Sequence, residues 1–518
     1  MKDTVVLAID NGTQSVRTLL INHKGDVLAK GKCEIEPYFS QKPGWAEQHV
    51  EVYWDALCTA QERMWKQAPV RPDAVKAVTV TTQRGTVVCL DKYGQPLRPA
   101  IIWLDQREAT HIPRLPLIWR TAFRLAGVSG TVDRFMRRAQ ANWLAEHEPD
   151  IWQQTHKFVL LSGYWLHRLT GNFVDSVGSQ VGYVPFDYKR LDWAAPRDWR
   201  WQALPITREQ LPDLIPPCTP AGQLRPEPAQ ALGVRPGLPV IAAAADKACE
   251  ILGSGGLEPG LAALSFGTTA TINTTRKCYT EVTRFIPPYP SAVPEHFSTE
   301  VMIYRGFWMV SWFLREFGAR EAQQAVDQGI PPEALFDSLI EGIPPGSMGL
   351  MLQPYWSPGI REPGPEAKGA MIGFGDVHNR AHIYRAILEG LAYSLREGRE
   401  RIEKRTRMPI HTLRISGGGS QSDQAMQITA NVFNCPAERP HTPETSALGA
   451  AINAMVGLGV YPDCELAARA MVRVGQRFEP EPEAVHLYER LYREVYRNLY
   501  GQLAPLYRKI RDITGYPA

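Results

Sequence analysis

The sequence predicts an α/β protein with two large domains, and three observations carry that expectation. The chain has 518 residues, more than the ~100–200 that one ordinary core organises. Apolar strand-like runs alternate with helical patterns. A buried run feeding a Gly-Thr turn occurs once in each half, at Val5 to Ile9 before Asp10-Asn11-Gly12-Thr13 and at Leu261 to Phe266 before Gly267-Thr268-Thr269.

Taken in order, Val5 to Ile9, Val16 to Ile21 and Val27 to Ile35 read as a three-stranded meander, separated by the polar turns Asp10 to Ser15 and Asn22 to Asp26. Trp54, Leu57, Cys58, Met64 and Trp65 recur at helical spacing, which predicts a helix between His49 and Gln67. Strands follow at Val75 to Thr81 and Thr86 to Leu90. From Pro205 to Pro239 proline and glycine crowd the chain, which predicts an extended connection with the domain changeover soon after it. Pro239 to Ala245 is a fresh apolar strand ending in Asp246. Later come a long helix over about Ile383 to Arg405, a strand Thr412 to Ser416 ending in Gly417-Gly418-Gly419, and a helix from near Ser422. Leu487, Leu491, Val495, Leu499 and Leu503 at four-residue spacing predict a terminal helix within Pro482 to Arg511. The expected domains are 1–254 and 255–475, with 476–518 as a helical tail packed on the second.

Composition narrows the function. Hydrophobic residues at 44% and charged residues at 21% are those of a globular chain. Lys plus Arg total 57 against 54 for Asp plus Glu, without a long basic block, so neither a nucleic-acid arm nor a membrane patch is expected. The densest basic run, Arg396 to Arg407, is interleaved with Glu397, Glu400 and Glu403 and reads as a solvated helix face. The eight cysteines include no Cys-x-x-Cys pair, the N-terminus lacks a signal-peptide core, and no apolar run reaches the ~18 residues of a span. A reducing, cytoplasmic setting is the expectation.

Four stretches could carry chemistry. Asp10-Asn11-Gly12-Thr13-Gln14-Ser15-Val16-Arg17 places a carboxylate, a glycine and hydroxyl and guanidinium donors together, as a metal and phosphate site requires, though a plain hairpin turn has the same letters. Ser265 to Thr269 repeats the pattern in the second half, and two such turns can clamp a polyphosphate where one cannot. Gly417-Gly418-Gly419 before a helix lets a flat or anionic ligand approach, and is also ordinary loop material. Asp246 can take a proton from a hydroxyl or cap a helix. His378 and His382 lack a nearby glutamate and fit a helix start better than a metal site. No Gly-Lys-Ser or Gly-Lys-Thr is present, so a P-loop kinase is excluded, and Gly253-Ser254-Gly255-Gly256 has the wrong spacing for a dinucleotide fingerprint.

With these stretches in view, the chain resembles the FGGY family of carbohydrate kinases over nearly its whole length. Further matching segments are Gly44 to Gln48 with Trp54, Thr82-Gln83-Arg84-Gly85, Ala100 to Arg107, Trp143 to Pro149, Gly359 to Pro363, Arg385 to Ala392 and Glu444 to Ala451. The resemblance implies two ribonuclease H-like (actin-like ATPase) domains with an interdomain active-site cleft. It implies ATP-dependent phosphorylation of a hydroxyl of a small sugar or polyol, with ATP and Mg²⁺. Position by position it implies that Asp10 holds the metal through water and that Thr13, Gln14 and Arg17 approach the transferring phosphoryl. Gly267 and Thr268 would cradle phosphates, and Gly418, Gly419 and Gln421 would flank adenosine. Asp246 would be the catalytic base, and Gln83, Arg84, Trp103 and Asp105 would fall in the substrate region.

Two departures bear on the substrate. Gly85 stands where glycerol kinases carry a glutamate and xylulose kinases a histidine, which argues against glycerol. Lys247, directly after Asp246, could meet a substrate carboxylate or phosphate, or face solvent on the next helix. The rival reading is a non-catalytic actin-like nucleotide- or sugar-binding regulator, which would need no Asp246. A homodimer is the oligomer considered.

Overall fold

The computed structural model describes residues 4–330, 333–359 and 363–516. They fall into two compact units, one of residues 1–255, 275–298 and 444–472, the other of 256–274, 299–443 and 473–518. Thus 275–298 and 444–472 pack with the first unit although they lie inside the stretch expected to form the second domain. Of the matching segment Gly359 to Pro363, residues 360–362 lie outside the described residues.

The first unit is built on β1 (Val5–Asn11), β2 (Ser15–Asn22), β3 (Val27–Glu34), β4 (Val75–Thr82), β5 (Pro220–Gln223) and β6 (Pro239–Ala242), in the order β5-β6-β4-β1-β2-β3. β1, β2 and β3 form the expected meander, and β4 and β6 run parallel to β1. Every residue of β1 is buried, as a continuous apolar run covered on both faces requires. The strand runs two residues beyond Ile9, because Asp10 and Asn11 still pair with Arg17 and Val16 of β2.

Helix α1 (Val50–Trp65) turns Tyr53, Leu57 and Met64 into the core beneath this sheet. Between β4 and β5 the chain inserts a layer of its own, with three strands of a four-stranded sheet, completed by Glu47–Gln48, and helices α2 (Leu117–Ala126) and α3 (Ser129–Arg138) around a second core that includes Trp143, Phe158 and Phe186. The stretch 205–239 is not a plain extended connection. It holds β5 and a helix, Pro226–Ala231, because a proline opening an edge strand loses no ladder hydrogen bond. Helix α4 (Asp246–Gly253) follows β6.

The second unit repeats the theme with β7 (Leu261–Phe266), β8 (Ala270–Arg276), β9 (Phe297–Ile303), β10 (Thr412–Ser416), β11 (Ala437–Pro440) and β12 (Val474–Phe478), in the order β9-β8-β7-β10-β11-β12. β8 is antiparallel to β7, β10 is parallel to it, and β12 is an antiparallel edge. Both sheets therefore have a ribonuclease H-like order, an antiparallel hairpin extended by parallel strands.

Helix α5 (Arg380–Thr406) is capped by Asn379, whose side chain accepts from Ala381 N–H while His382 closes the capping box. Helix α6 (Asp423–Phe433) follows β10, and α7 (Thr445–Gly457) follows β11 but packs on α4 and β1 in the first unit. The C-terminal helical stretch is Pro482–Arg490, a π-turn over Leu491–Tyr496 and Arg497–Thr514, and Tyr488, Tyr492 and Tyr496 cluster around Tyr393 of α5. Among the described residues no helix is long and apolar enough to cross a membrane.

Candidate active site

In the first unit three parallel strands, β6, β4 and β1, end side by side, and each delivers polar side chains just past its last apolar residue. Asp10 stands one residue before the end of β1, opposite Arg17 of β2 and beside Thr81 of β4. Gln83 and Arg84 follow β4, and Asp246 follows β6 as the first residue of α4. Carboxyl ends of parallel strands are where open α/β sheets bind ligands, since the strands stop there and helix N-termini begin. Asp246 does not cap α4 from outside. Ala245 holds the cap position, and the Asp246 carboxylate accepts the N–H of Lys247 at 2.7 Å.

A relay of hydrogen bonds ties the β1 turn to the β4 end. The Trp103 indole N–H donates to the Thr13 hydroxyl at 2.9 Å, Thr13 donates to Gln83 Oε1 at 2.7 Å, and Gln83 Nε2 donates to the Tyr53 hydroxyl at 3.1 Å. Gln83 is buried, whereas Trp103 is 41% exposed. Gln14 is exposed beside this turn. The Arg84 guanidinium lies over the Tyr289 ring, 5.0 Å from its centroid.

Charge is concentrated here. Arg17 Nη1 lies 3.6 Å from Asp10 Oδ2 and 3.1 Å from Glu444 Oε2, and Lys30 Nζ lies 2.8 Å from Glu444 Oε1. Lys247 Nζ pairs with Glu250 one helical turn on at 2.7 Å. Burial pushes the Asp10 carboxyl up to about 7. Arg17 opposes the rise, and the negative charges of Asp246, Glu444 and Glu250 add to it. Burial also raises Asp246, against the pull of Lys247 and Arg84. Burial works against the charged form of Lys247, but Glu250 and Asp246 together hold its pKa above the ordinary lysine value. Asp10 and Asp246 thus share one electrostatic neighbourhood.

In the second unit the ends of β7 and β10 are neutral. Gly267 N–H donates to Thr269 O at 3.1 Å, closing the β7–β8 hairpin, and the carbonyls of Gly267 and Thr268 accept from Phe307 and Gly306 at 3.0 and 2.9 Å. β10 runs beside β7 with Ser416 level with Ser265, and Gly417 then turns at φ 88° where a Cβ would lie 2.8 Å from Phe266 O. A Cβ on Gly419 would strike the Phe307 ring at 2.2 Å, whereas one on Gly418 would meet nothing within 4 Å. Gln421 closes this turn, and Ser422 caps α6 while donating to Asp337 at 2.5 Å.

Two family profiles account for most of the chain. The FGGY family of carbohydrate kinases, N-terminal domain, matches residues 5–253, and its C-terminal domain matches 262–458. The chain belongs to the FGGY family of carbohydrate kinases. It is a phosphotransferase that uses ATP and takes a sugar or polyol hydroxyl as acceptor, and nothing in these likenesses supports a non-catalytic regulator. An uncharacterized sugar kinase of Escherichia coli is 31% identical over 96% of this chain and 94% of its own length. A xylulose kinase of Bacillus subtilis is 27% identical over 96% of each. The crystal structure of a xylulose kinase from Rhodospirillum rubrum superposes with a TM-score of 0.80 at 26% identity, over 97% of this chain and 100% of that one.

Within this kinase one expected substrate residue is used otherwise. The Asp105 side chain is 3% exposed. Its oxygens accept from Ala46 N–H at 2.7 Å, Arg107 N–H at 2.9 Å and Arg107 Nε at 2.8 Å, so it is not presented to a ligand. With Glu47, Arg98, Arg107 and Glu148 it forms a buried ion network, and Arg107 also lies between the Trp45 and Trp143 rings. Several matching segments therefore hold the inserted layer together. Arg385 and Glu389 do the same in the second unit, where Glu389 accepts from Gly346 N–H, Ser347 and Tyr488.

Sequence reasoning missed Lys30, Glu250, Tyr289 and Glu444 as site members. Glu250 had a signal, since it lies four residues after Asp246 on the same helix face. Glu444 is delivered by packing. A Cβ on Gly253 would lie 1.9 Å from Thr445 O, and one on Gly449 1.9 Å from Cys249 O, so only glycines let α4 and α7 approach this closely.

Proposed function

We propose that Asp246 is the catalytic base of this kinase, orienting the acceptor hydroxyl and taking its proton as the γ-phosphoryl transfers. The observation that carries the reading is that Asp10 of β1 and Asp246, which follows β6, stand on either side of β4 at the same end of one sheet and sense each other's charge. Burial raises Asp246 above an ordinary carboxylate, which brings it nearer to the pKa at which a base both stays ionised and accepts a proton. Lys247 and Arg84 limit that rise.

The donor set at Asp10 fits a hydrated Mg²⁺, being a hard carboxylate with further acids close by and its charge only partly met by Arg17. Bound with the polyphosphate, Mg²⁺ would supply neutralisation of charge on the phosphate oxygens. Thr13, Gln14 and Arg17 would then contact the transferring phosphoryl, with Arg17 aimed by Asp10 and Glu444. Gly267 and Thr268 would hold phosphates, and Gly418, Gly419 and Gln421 would flank adenosine, where the open space beside Gly418 supports close approach. Gln83, Arg84, Trp103 and Lys247 would line the acceptor side. In this reading 1–254 is the sugar-binding domain, 255–475 the nucleotide-binding domain and 476–518 its helical tail, in a cytoplasmic enzyme.

Gly85 argues against glycerol as acceptor. Its φ of 70° is one a glutamate adopts only with strain. ADP release over ketopentoses, aldonates, polyols and deoxysugars identifies the substrate. With that substrate, Asp246→Asn should cut turnover by about 10²–10⁴ while ATP still binds; near-native turnover removes the base assignment.

A further inference from the structure

The inserted layer of the first unit holds a cavity of about 390 Å³, within the range of roughly 300–1,000 Å³ typical of small-molecule sites. Arg114, Arg120, Arg124 and Asp133 stand around it, over apolar side chains that include Phe123 and Met136. None of these residues belongs to the strand ends described above.

The charge is unusual for this chain. Residues 114–138 carry six arginines against one aspartate, whereas the whole chain is only +3. Arg137 and Arg138 are engaged, with Ala109 O and with Glu108. Among the described residues the side chains of Arg114, Arg120 and Arg124 make no hydrogen bond or ion pair, and neither does that of Asp133. Three like charges around one concavity repel each other until an anion sits among them, and guanidinium forks match phosphate oxygens in pairs. Helix α2 packs Trp119 and Phe123 against the core of this layer and leaves Leu117, Ile118 and Leu125 exposed.

We propose that this cavity binds a phosphomonoester bearing free hydroxyls, of the chemical class of a phosphorylated sugar or polyol. The arginines take the phosphate. Asp133 would repel a bare polyanion but accepts hydroxyl hydrogens, and Phe123 gives the C–H face of a sugar an apolar surface. The site is additional to the acceptor site and does not depend on which sugar the kinase phosphorylates.

Calorimetry on the full-length protein without ATP tests this, with glucose 6-phosphate, ribose 5-phosphate and inorganic phosphate as probes. At least one sugar phosphate should bind, more weakly as salt is added. Arg120→Gln with Arg124→Gln should weaken it about tenfold or more, as expected when charge-assisted contacts are lost. Asp133→Asn should weaken the sugar phosphate but not inorganic phosphate. Both variants should keep native turnover and thermal midpoint. The proposal is overturned if no sugar phosphate binds, if binding survives the double arginine change, or if inorganic phosphate binds as tightly and ignores Asp133. Binding to phosphatidylglycerol vesicles, lost in the double variant while sugar phosphates fail to bind, would assign the patch to a lipid surface instead.

Discussion

β1 and β7 occupy the same place in their respective sheets, each opening an antiparallel hairpin and each flanked by a parallel strand, yet their ends differ in kind. β1 carries a buried carboxylate, Asp10, one residue before the strand ends, and it faces an arginine across the hairpin. β7 finishes on Phe266 and passes into Gly267-Thr268, and its parallel neighbour ends in three glycines. The framework repeats while the chemistry does not. A sheet of this order supplies strand ends in register, and the few residues placed there decide whether a unit offers acid–base groups or bare backbone.

Removing the acid from the charged end should have the largest effect. Asp10→Asn should lower turnover by about 10²–10³, the scale of losing an electrostatic contact specific to the transition state. Stability should move the other way. The Asp10 pKa rises from 3.8 unfolded to about 7 folded, so the folded protein holds a proton that the unfolded chain releases in between. The favourable contribution is complete below pH 3.8 and is lost as pH climbs to about 7. Asparagine has no such loss. At pH 8 the variant should therefore be roughly 1–4 kcal/mol more stable, with no gain near pH 4. A variant less stable than native at pH 8 would mean that Asp10 is ionised and well paired in the fold.

The neutral end is probed by three adjacent glycines with different surroundings. Gly417→Ala meets both a φ of 88° and the Phe266 carbonyl, and Gly419→Ala meets the Phe307 ring. Each should cost about 1–3 kcal/mol of stability. Gly418→Ala points into open space and should leave the thermal midpoint unchanged. If nucleotide approaches here, Gly418→Ala alone should raise the KM for ATP without a change in stability. An unchanged KM would place adenosine elsewhere.

The repeated framework was legible because its strands are unbroken apolar runs. Leu261–Phe266 and Thr412–Ser416 begin and end where the sequence places them, since glycines stop both. The acids were legible for the same reason, as polar residues ending apolar runs. Other features arise only in three dimensions. The stretch 205–239 hid an edge strand because proline there signals a loop until the strand's position at the sheet edge is known. Asp105 read as a substrate residue because its motif neighbours Trp103, and only the fold shows it turned onto Arg107. The arginines of 114–138 form no block in the sequence because they are mostly spaced along two helices, and only the fold gathers three of them around a concavity. Glu444 comes from a segment more than 400 residues beyond Arg17, and no local pattern links them.

Glu444 gives the smallest effect and the sharpest test of how the charged end is tuned. Its carboxylate raises the Asp10 pKa directly, and it also shares the Arg17 guanidinium that would otherwise lower it. Glu444→Gln removes the first effect and leaves Arg17 freer to pair with Asp10, so both changes favour the ionised acid. In the metal-free protein the acid limb of the Asp10 titration, followed by the chemical shift of its carboxyl carbon, should move to lower pH, with kcat reduced less than tenfold. Lys30→Met serves as the control, because it leaves the Arg17–Glu444 pair in place and should move the limb far less. A fall in kcat with the limb unmoved would make Glu444 a packing residue of α7, and the difference between the two strand ends would then rest on Asp10 and Arg17 alone.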